Sequence, residues 1–254
     1  MAKINMIGDY KKAFVMLLNK VSYGKSMYQV FGDFCTMARL SLMQPFYRSP
    51  ELEKEYMSIV SRYSKKEANE LTLLLSYVVL GLEANPLDFL GRIYMDAGMG
   101  NVGAGEFFTP SGVAELMAKM VSGDIKAQLK GKDFLMVGEP AAGAGGMVLA
   151  YAKEARAQGV NPAISLWFDC WDTSYIPACM CYIQMALMNL PGRVVQGNAL
   201  SQEIYQTWLT PAYFLFNWQH RLKKRFEGGE PPRFEQLTLF NNPSQNKLKE
   251  LYLP

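Results

Sequence analysis

The chain has one histidine, His220, and only four cysteines, Cys35, Cys170, Cys179 and Cys181, among its 254 residues. None of them falls at the spacing of a metal or redox motif, and His220 is too far from the cysteines to share a zinc ion with them. No metal is therefore expected, and the cysteines read as buried thiols in a reducing cytoplasm. Charge of one sign is also scarce. The net charge is +3, too small to bind nucleic acid by charge alone. Long apolar runs are missing. Thr72 to Leu82 is too short to span a bilayer and reads as a buried helix. The N-terminus lacks an uninterrupted apolar region with a small-residue cleavage site, so neither a signal peptide nor membrane contact is expected. Half of the composition is apolar, enough for one core plus an accessory region. The sixteen methionines sit mostly at helical spacings, as core filling would require.

Three regions follow from the patterning: a helical segment over 1–100, an alternating helix–strand segment over 101–226, and a polar tail over 227–254. Within the first, helices are predicted over Ile4–Lys20, Tyr28–Met43 (stopped by Pro45), Glu51–Tyr63 and Lys65–Glu83, and from Asn85-Pro86 to Ala97. Ser64-Lys-Lys-Glu67 has the form of a capping box. The glycine-rich stretch Asp96 to Gly105 reads as a mobile loop. The second region predicts helices over Pro110–Val121, Gly145–Ala157 and Tyr175–Asn189. Its predicted strands are Phe134–Val137, Ile164–Trp171, Val194–Gln196 and Ala212–Phe216. Such alternation implies an α/β, doubly wound sheet with a ligand at the carboxyl ends of its strands. The tail holds Gly228-Gly229 and Pro231-Pro232 and is expected to carry little fixed structure.

The most informative stretch is Phe134 to Gly146, an apolar strand ending in Glu139-Pro140 and then three glycines ahead of a helix. Glycines let the backbone take φ > 0 and approach a ligand closely. A helix N-terminus beyond them favours a negative group. The dinucleotide fingerprint fails, because Val148 stands where its last small residue belongs. Gly24-Lys25-Ser26 lacks the leading glycine of a phosphate loop, since that position is Asn19.

Glu139-Pro-Ala-Ala-Gly143-Ala-Gly145-Gly146 resembles the S-adenosylmethionine loop of amino-directed DNA methyltransferases, Asp-Pro-Ala-Cys-Gly-Thr-Gly-Gly. Gly105-Glu-Phe-Phe108-Thr109-Pro110 is similar to the Gly-Gln-Phe-Phe-Thr-Pro segment of the modification subunits of type I restriction systems. Asp172 at a strand end, the following Cys179-Met-Cys-Tyr-Ile-Gln184, and Gln196-Gly-Asn198-Ala-Leu200 continue the resemblance in the same order, over roughly residues 85–200. The resemblance implies a Rossmann-like methyltransferase sheet, shortened relative to the family, behind an α-helical N-terminal region. It also implies S-adenosylmethionine as cofactor, with Phe108, Thr109, Pro110, Glu139, Pro140, Ala141, Gly143, Gly145, Asp172 and Asn198 around it. Asp172 would accept hydrogen bonds from ribose hydroxyls, with Asp169 as its competitor. Asn198 would read the adenine edge, or else serve as a turn residue after Gly197. Thr109-Pro110 also reads as a helix N-cap followed by an N1 proline.

The family activates the target amine with an Asn/Asp-Pro-Pro-aromatic motif after its fourth strand, and this sequence has none. Asn217-Trp218-Gln-His220 follows the predicted fourth strand and keeps the asparagine and a flat ring, so Asn217, Trp218 and His220 are the catalytic candidates. Thr210-Pro-Ala-Tyr213 keeps a proline and an aromatic but precedes that strand. In the tail, Gln236-Leu237-Thr-Leu239-Phe240 resembles the bacterial sliding-clamp-binding peptide. The expected function is that of a DNA adenine-N6 methyltransferase-like protein of a phage or mobile element. The alternative is a methyltransferase-derived binding protein without chemistry that acts on host restriction or on the clamp. DNA, the clamp and a restriction-modification subunit are the partners these readings imply.

Overall fold

The second, third and fourth helices start where local chemistry dictates, each behind a serine whose hydroxyl accepts from a first-turn amide. The computed structural model describes residues 6–100 and 107–226. Helices α1 (Met6–Val21), α2 (Met27–Met43), α3 (Pro50–Val60) and α4 (Lys65–Ala84) make up most of the first hundred residues. α4 opens on a complete capping box: Ser64 Oγ accepts from the Glu67 amide at 3.3 Å, and Glu67 accepts from the Ser64 amide at 2.8 Å. α3 opens on Ser49 with Pro50 in its first turn, where a missing N–H costs nothing. α5 (Leu90–Asp96) begins later than expected, because the chain between Asn85 and Phe89 turns inward and buries Leu87 and Asp88.

After α6 (Ser111–Ser122) and α7 (Ile125–Leu129), the sheet forms from β1 (Leu135–Glu139), β2 (Leu166–Asp172), β3 (Gly192–Asn198) and β4 (Glu203–Leu209). Its order is β1-β2-β3-β4, with the first three strands parallel and β4 antiparallel to β3. α8 (Gly146–Ala157), the short α9 (Pro162–Ser165) and α10 (Tyr175–Leu187) make the connections. α10 packs on α8, on β2 and β3, and on α2 of the helical layer. The chain is therefore an α/β protein with a helical N-terminal layer resting on the sheet's crossover helix.

Two corrections concern the end of the sheet. The predicted strand Ala212–Phe216 is helical, forming α11 (Pro211–Leu215), with Pro211 in its first turn. A short run of aromatic and aliphatic residues suits a buried strand or a buried helix equally, and the proline decides. The real fourth strand is Glu203–Leu209. The connection from Asn198 to Glu203 is too short for a crossover, so the strand has to return antiparallel. Asn198 Oδ1 shapes that turn by accepting from the amides of Leu200 and Ser201 at 2.9 and 3.2 Å.

Among the described residues no strand pairs with the outer edge of β1. α6 packs its small residues Ala114 and Ala118 toward α8. Its large residues Val113, Leu116, Met117, Met120 and Val121 lie exposed. From Asn217 the chain forms a second unit, Asn217–Pro254, whose described part is α12 (Trp218–Phe226). All four cysteines are buried and unpaired. No described helix is long and apolar enough to cross a membrane.

Candidate cofactor site

The loop from β1 to α8 is made of small residues, and both its torsions and its neighbours require that. Gly143 and Gly145 have φ of +52° and +91°, a region that strains any residue with a Cβ. A Cβ on Gly143 would lie 3.0 Å from the Phe108 ring, and one on Gly145 would lie 3.1 Å from Cys181 Sγ. Side chains this short cannot fasten the loop, so the neighbouring strand end does. The Ala142 amide donates to the Trp171 carbonyl at 2.7 Å. The Gly143 amide donates to Asp172 Oδ2 at 2.8 Å, and the Ser174 amide to Asp172 Oδ1 at 2.8 Å. A carboxylate has about four acceptor directions, so holding the loop does not by itself bar Asp172 from accepting ribose hydroxyls.

Asp169, the competing carboxylate, points to the other face of β2. It is buried against Arg193, accepting from Nε at 2.8 Å and from Nη2 at 2.7 Å, and it also accepts from Trp171 Nε1 at 3.0 Å. Glu139 ends β1, accepts from the Ala141 amide at 3.3 Å, and has its carboxyl raised above the ordinary value by burial. Pro140 and Ala141 stand exposed at the rim. Strand register brings the three strand ends together, since Glu139 pairs with Cys170 and Asp172 with Gln196, two residues before Asn198. The Asn198 carbonyl is engaged in the β3–β4 turn, and its N–H2 is the end able to donate to a ring acceptor.

Phe108 leans on Gly143 and stacks on Tyr94, with ring centroids 5.6 Å apart at 20°, while Phe107 is exposed. Thr109 does not cap α6. The cap position belongs to Pro110, with no side-chain cap bond. α8 likewise starts without a side-chain cap, from Gly145, so its first amides face the loop, where a negative group is favoured. A floor of glycine and alanine, carboxylates at two strand ends and an uncapped helix start fit an adenosyl ligand bearing a carboxylate. An open concavity lined by Lys65, Lys66, Asn69, Glu70 and Leu73 lies on α4 and shares no residue with this loop. Among the described residues no group of three or more His, Cys, Asp or Glu could hold a metal ion.

The N-6 DNA methylase family matches residues 88–227, which include every one of these loop and strand-end residues. The chain belongs to the N-6 DNA methylase family. No curated protein matches it in sequence. Among solved structures, it is similar to a Listeria monocytogenes chain assigned as a class I S-adenosylmethionine-dependent methyltransferase. Identity is 12%, the TM-score is 0.40, and the match covers 76% of this chain and 54% of the other. This chain thus spans about half the length of that one.

In this methylase-family chain the expected catalytic segment is not where its sequence position implied. Asn217 does not follow a strand, because α11 precedes it. Asn217 has a left-handed φ of +54° at the start of α12, Trp218 is fully buried with Arg221 over its ring, and His220 is exposed. The segment that does follow the fourth strand, Thr210 to Tyr213, lies at the opposite end of the sheet from the glycine loop. Leu209 pairs with Arg193 near the start of β3. The Thr210 hydroxyl donates to the Leu190 carbonyl at 2.7 Å and accepts from the Gly192 amide at 3.1 Å, while the Tyr213 ring packs edge-on against Trp167. The clamp-like residues Gln236, Leu237, Leu239 and Phe240, and with them Gly105 and Glu106, lie outside the described residues.

Sequence reasoning missed Asp88 beside the loop, and it included Gln184 only in the family-like segment, without a role. Gln184 carried a readable signal, because a glutamine within the apolar run of α10 needs partners if it is to be buried.

Proposed function

We propose that this chain is an S-adenosylmethionine-binding DNA adenine-N6 methyltransferase-like protein of a phage or mobile element, and that its described residues supply the cofactor-binding half of such an enzyme. The arrangement of Gly143, Gly145, Asp172 and Asn198 at adjacent carboxyl ends of parallel strands carries this reading, together with the family match. Ligands of open α/β sheets bind at such strand ends. When bound, S-adenosylmethionine supplies an electrophilic methyl group. The chain's own part is to seat the ribose at Asp172, the adenine edge at Asn198 and the carboxylate near the start of α8.

Transfer to an adenine amine also needs acceptors for the amine's hydrogens and a flat surface for an extruded base. Among the described residues of the first unit, no such set stands beside the loop. β4 turns back, and Thr210 and Tyr213 are occupied in packing at the far end. This favours a second reading, a module that binds the cofactor without chemistry and acts through a restriction subunit or the sliding clamp. In the methylating form, Asn217, Trp218 and His220, or a partner, would supply the missing groups.

Calorimetric titration with S-adenosylmethionine, followed by transfer of labelled methyl groups to DNA of varied sequence, tests both readings. The proposal expects saturable binding that is lost in Asp172→Ala. Absence of binding by folded protein overturns it. Binding with no transfer, with clamp present or absent, selects the second reading.

A further inference from the structure

The glycine loop cannot hold its own shape. After Pro140 it contains only alanine and glycine up to Gly146, so any order beyond its few main-chain bonds has to come from outside. One fully buried side chain reaches it from beneath. Gln184, on the inner face of α10, donates from Nε2 to the Ala144 carbonyl at 2.7 Å and to Asp88 Oδ1 at 2.9 Å. Its Oε1 accepts from the amides of Phe89 and Leu90 at 2.7 and 3.1 Å. All four hydrogen-bonding directions of the amide are therefore used.

These partners come from two separate parts of the chain, the consecutive residues Asp88, Phe89 and Leu90 and the loop residue Ala144. Phe89 is the N-cap residue of α5 and Leu90 its first residue, and the cap position carries no side-chain cap bond, so Gln184 takes that place. Asp88 is buried, and its Oδ1 also accepts from the Gly91 amide at 2.7 Å. A Cβ on Gly91 would lie 2.1 Å from Asp88 Oδ2 and 2.7 Å from Ala144 Cβ. The start of α5 thus comes close to Ala144 only because residue 91 is glycine. A Cβ on Gly146, the first residue of α8, would lie 3.7 Å from Asp88 Oδ2, so the same carboxyl group sits beside that helix start.

We propose that Gln184 is the positioning residue of the cofactor loop. Its side-chain amide fixes the Ala144 peptide against the start of α5, and it thereby sets the separation between the loop's amides and Asp172. The proposal rests on reading this loop as the S-adenosylmethionine site. Gln184 touches no ligand in this scheme. Its effect passes through Ala144, and the helical N-terminal layer becomes part of the site's framework through Asp88 and α5.

The test uses the full chain and measures amide hydrogen exchange without ligand and S-adenosylmethionine affinity by calorimetry. In the unmodified protein the Gly145 amide, bonded to Ala142, exchanges in the same slow class as the inner face of α10. Fast exchange there in folded protein overturns the proposal. Gln184→Glu keeps the shape and the acceptor but removes both donors, and Gln184→Asn keeps the amide but withdraws it by one methylene. Each is expected to speed exchange over 142–146 and to weaken S-adenosylmethionine binding by about tenfold or more, as the loss of one buried hydrogen bond implies, while amides of α1 and α4 keep their protection. Affinity within about twofold of the parent in a folded variant overturns the proposal. If the parent itself shows no titration, the reading of the loop as a cofactor site fails, and the exchange measurements still decide whether Gln184 holds it.

Discussion

The two ends of the sheet are built by opposite rules. At the end where β1, β2 and β3 finish, the chain presents main-chain amides, glycines and half-buried polar groups, and its side chains are short. At the other end the polar groups are enclosed and matched: Thr210 bridges Leu190 and Gly192. Between the two ends, on the face away from α10, Arg193 and Asp169 form a buried two-bond ion pair. The first arrangement leaves donors and acceptors for a ligand, and the second spends them on folding. A buried polar group is stable only when it is paired. The comparison therefore predicts that changes away from the loop cost stability and that changes in the loop cost binding.

The largest expected effect comes from Asp169→Ala. It removes the carboxylate that accepts two hydrogen bonds from the buried Arg193 guanidinium and one from Trp171, and it should lower the unfolding free energy by about 3–5 kcal/mol, measured by urea denaturation. The protein that stays folded should bind S-adenosylmethionine as the parent does. A large fall in affinity at full stability would break the division between the two regions.

Gly143→Ala comes next. The left-handed torsion costs a residue with a Cβ roughly 1–2 kcal/mol, and the added methyl group presses on Phe108. Stability should drop modestly, and S-adenosylmethionine affinity should drop by at least about tenfold. Unchanged affinity in a folded variant would mean that the ligand does not approach this part of the loop.

The smallest effect is one of pH. Burial raises the Asp88 carboxyl above its ordinary 3.8, against the lowering effect of its bonds to Gln184 and Gly91 and of the nearby Arg92. The folded chain therefore holds this proton more tightly than the unfolded chain does. The resulting stability is full below pH 3.8 and is lost as pH rises through the higher folded value. Asp88→Asn removes that dependence, so the unfolding free energy of the variant relative to the parent should grow as pH climbs above about 4. Parallel pH profiles for the two proteins would contradict the assignment.

Much of the candidate site was legible because its signals are local. The glycines after Glu139 announce positive φ, an aspartate at the end of an apolar run marks a strand tip, and Ser64 to Glu67 announces a helix start. Family resemblance then put those local signals in order. The end of the sheet was not legible. Tyr213 to Phe216 fits a strand or a helix until Pro211 is placed, and β4 is antiparallel because Asn198 closes a turn too short for a crossover. The choice between Asp169 and Asp172 came down to alternation along β2, which aims one carboxylate at Arg193 and the other at the glycine loop.

By itself the sequence determined the starts of α2, α3 and α4, the glycine loop, the helical first region and the α/β character, since each depends on residues close together in the chain. Only the tertiary structure decided which way the fourth strand runs, which aspartate faces the loop, and that a glutamine on α10 fastens Ala144. These are matters of register and burial between segments far apart in sequence, and hydrogen bonds across such distances leave no periodic mark on the chain.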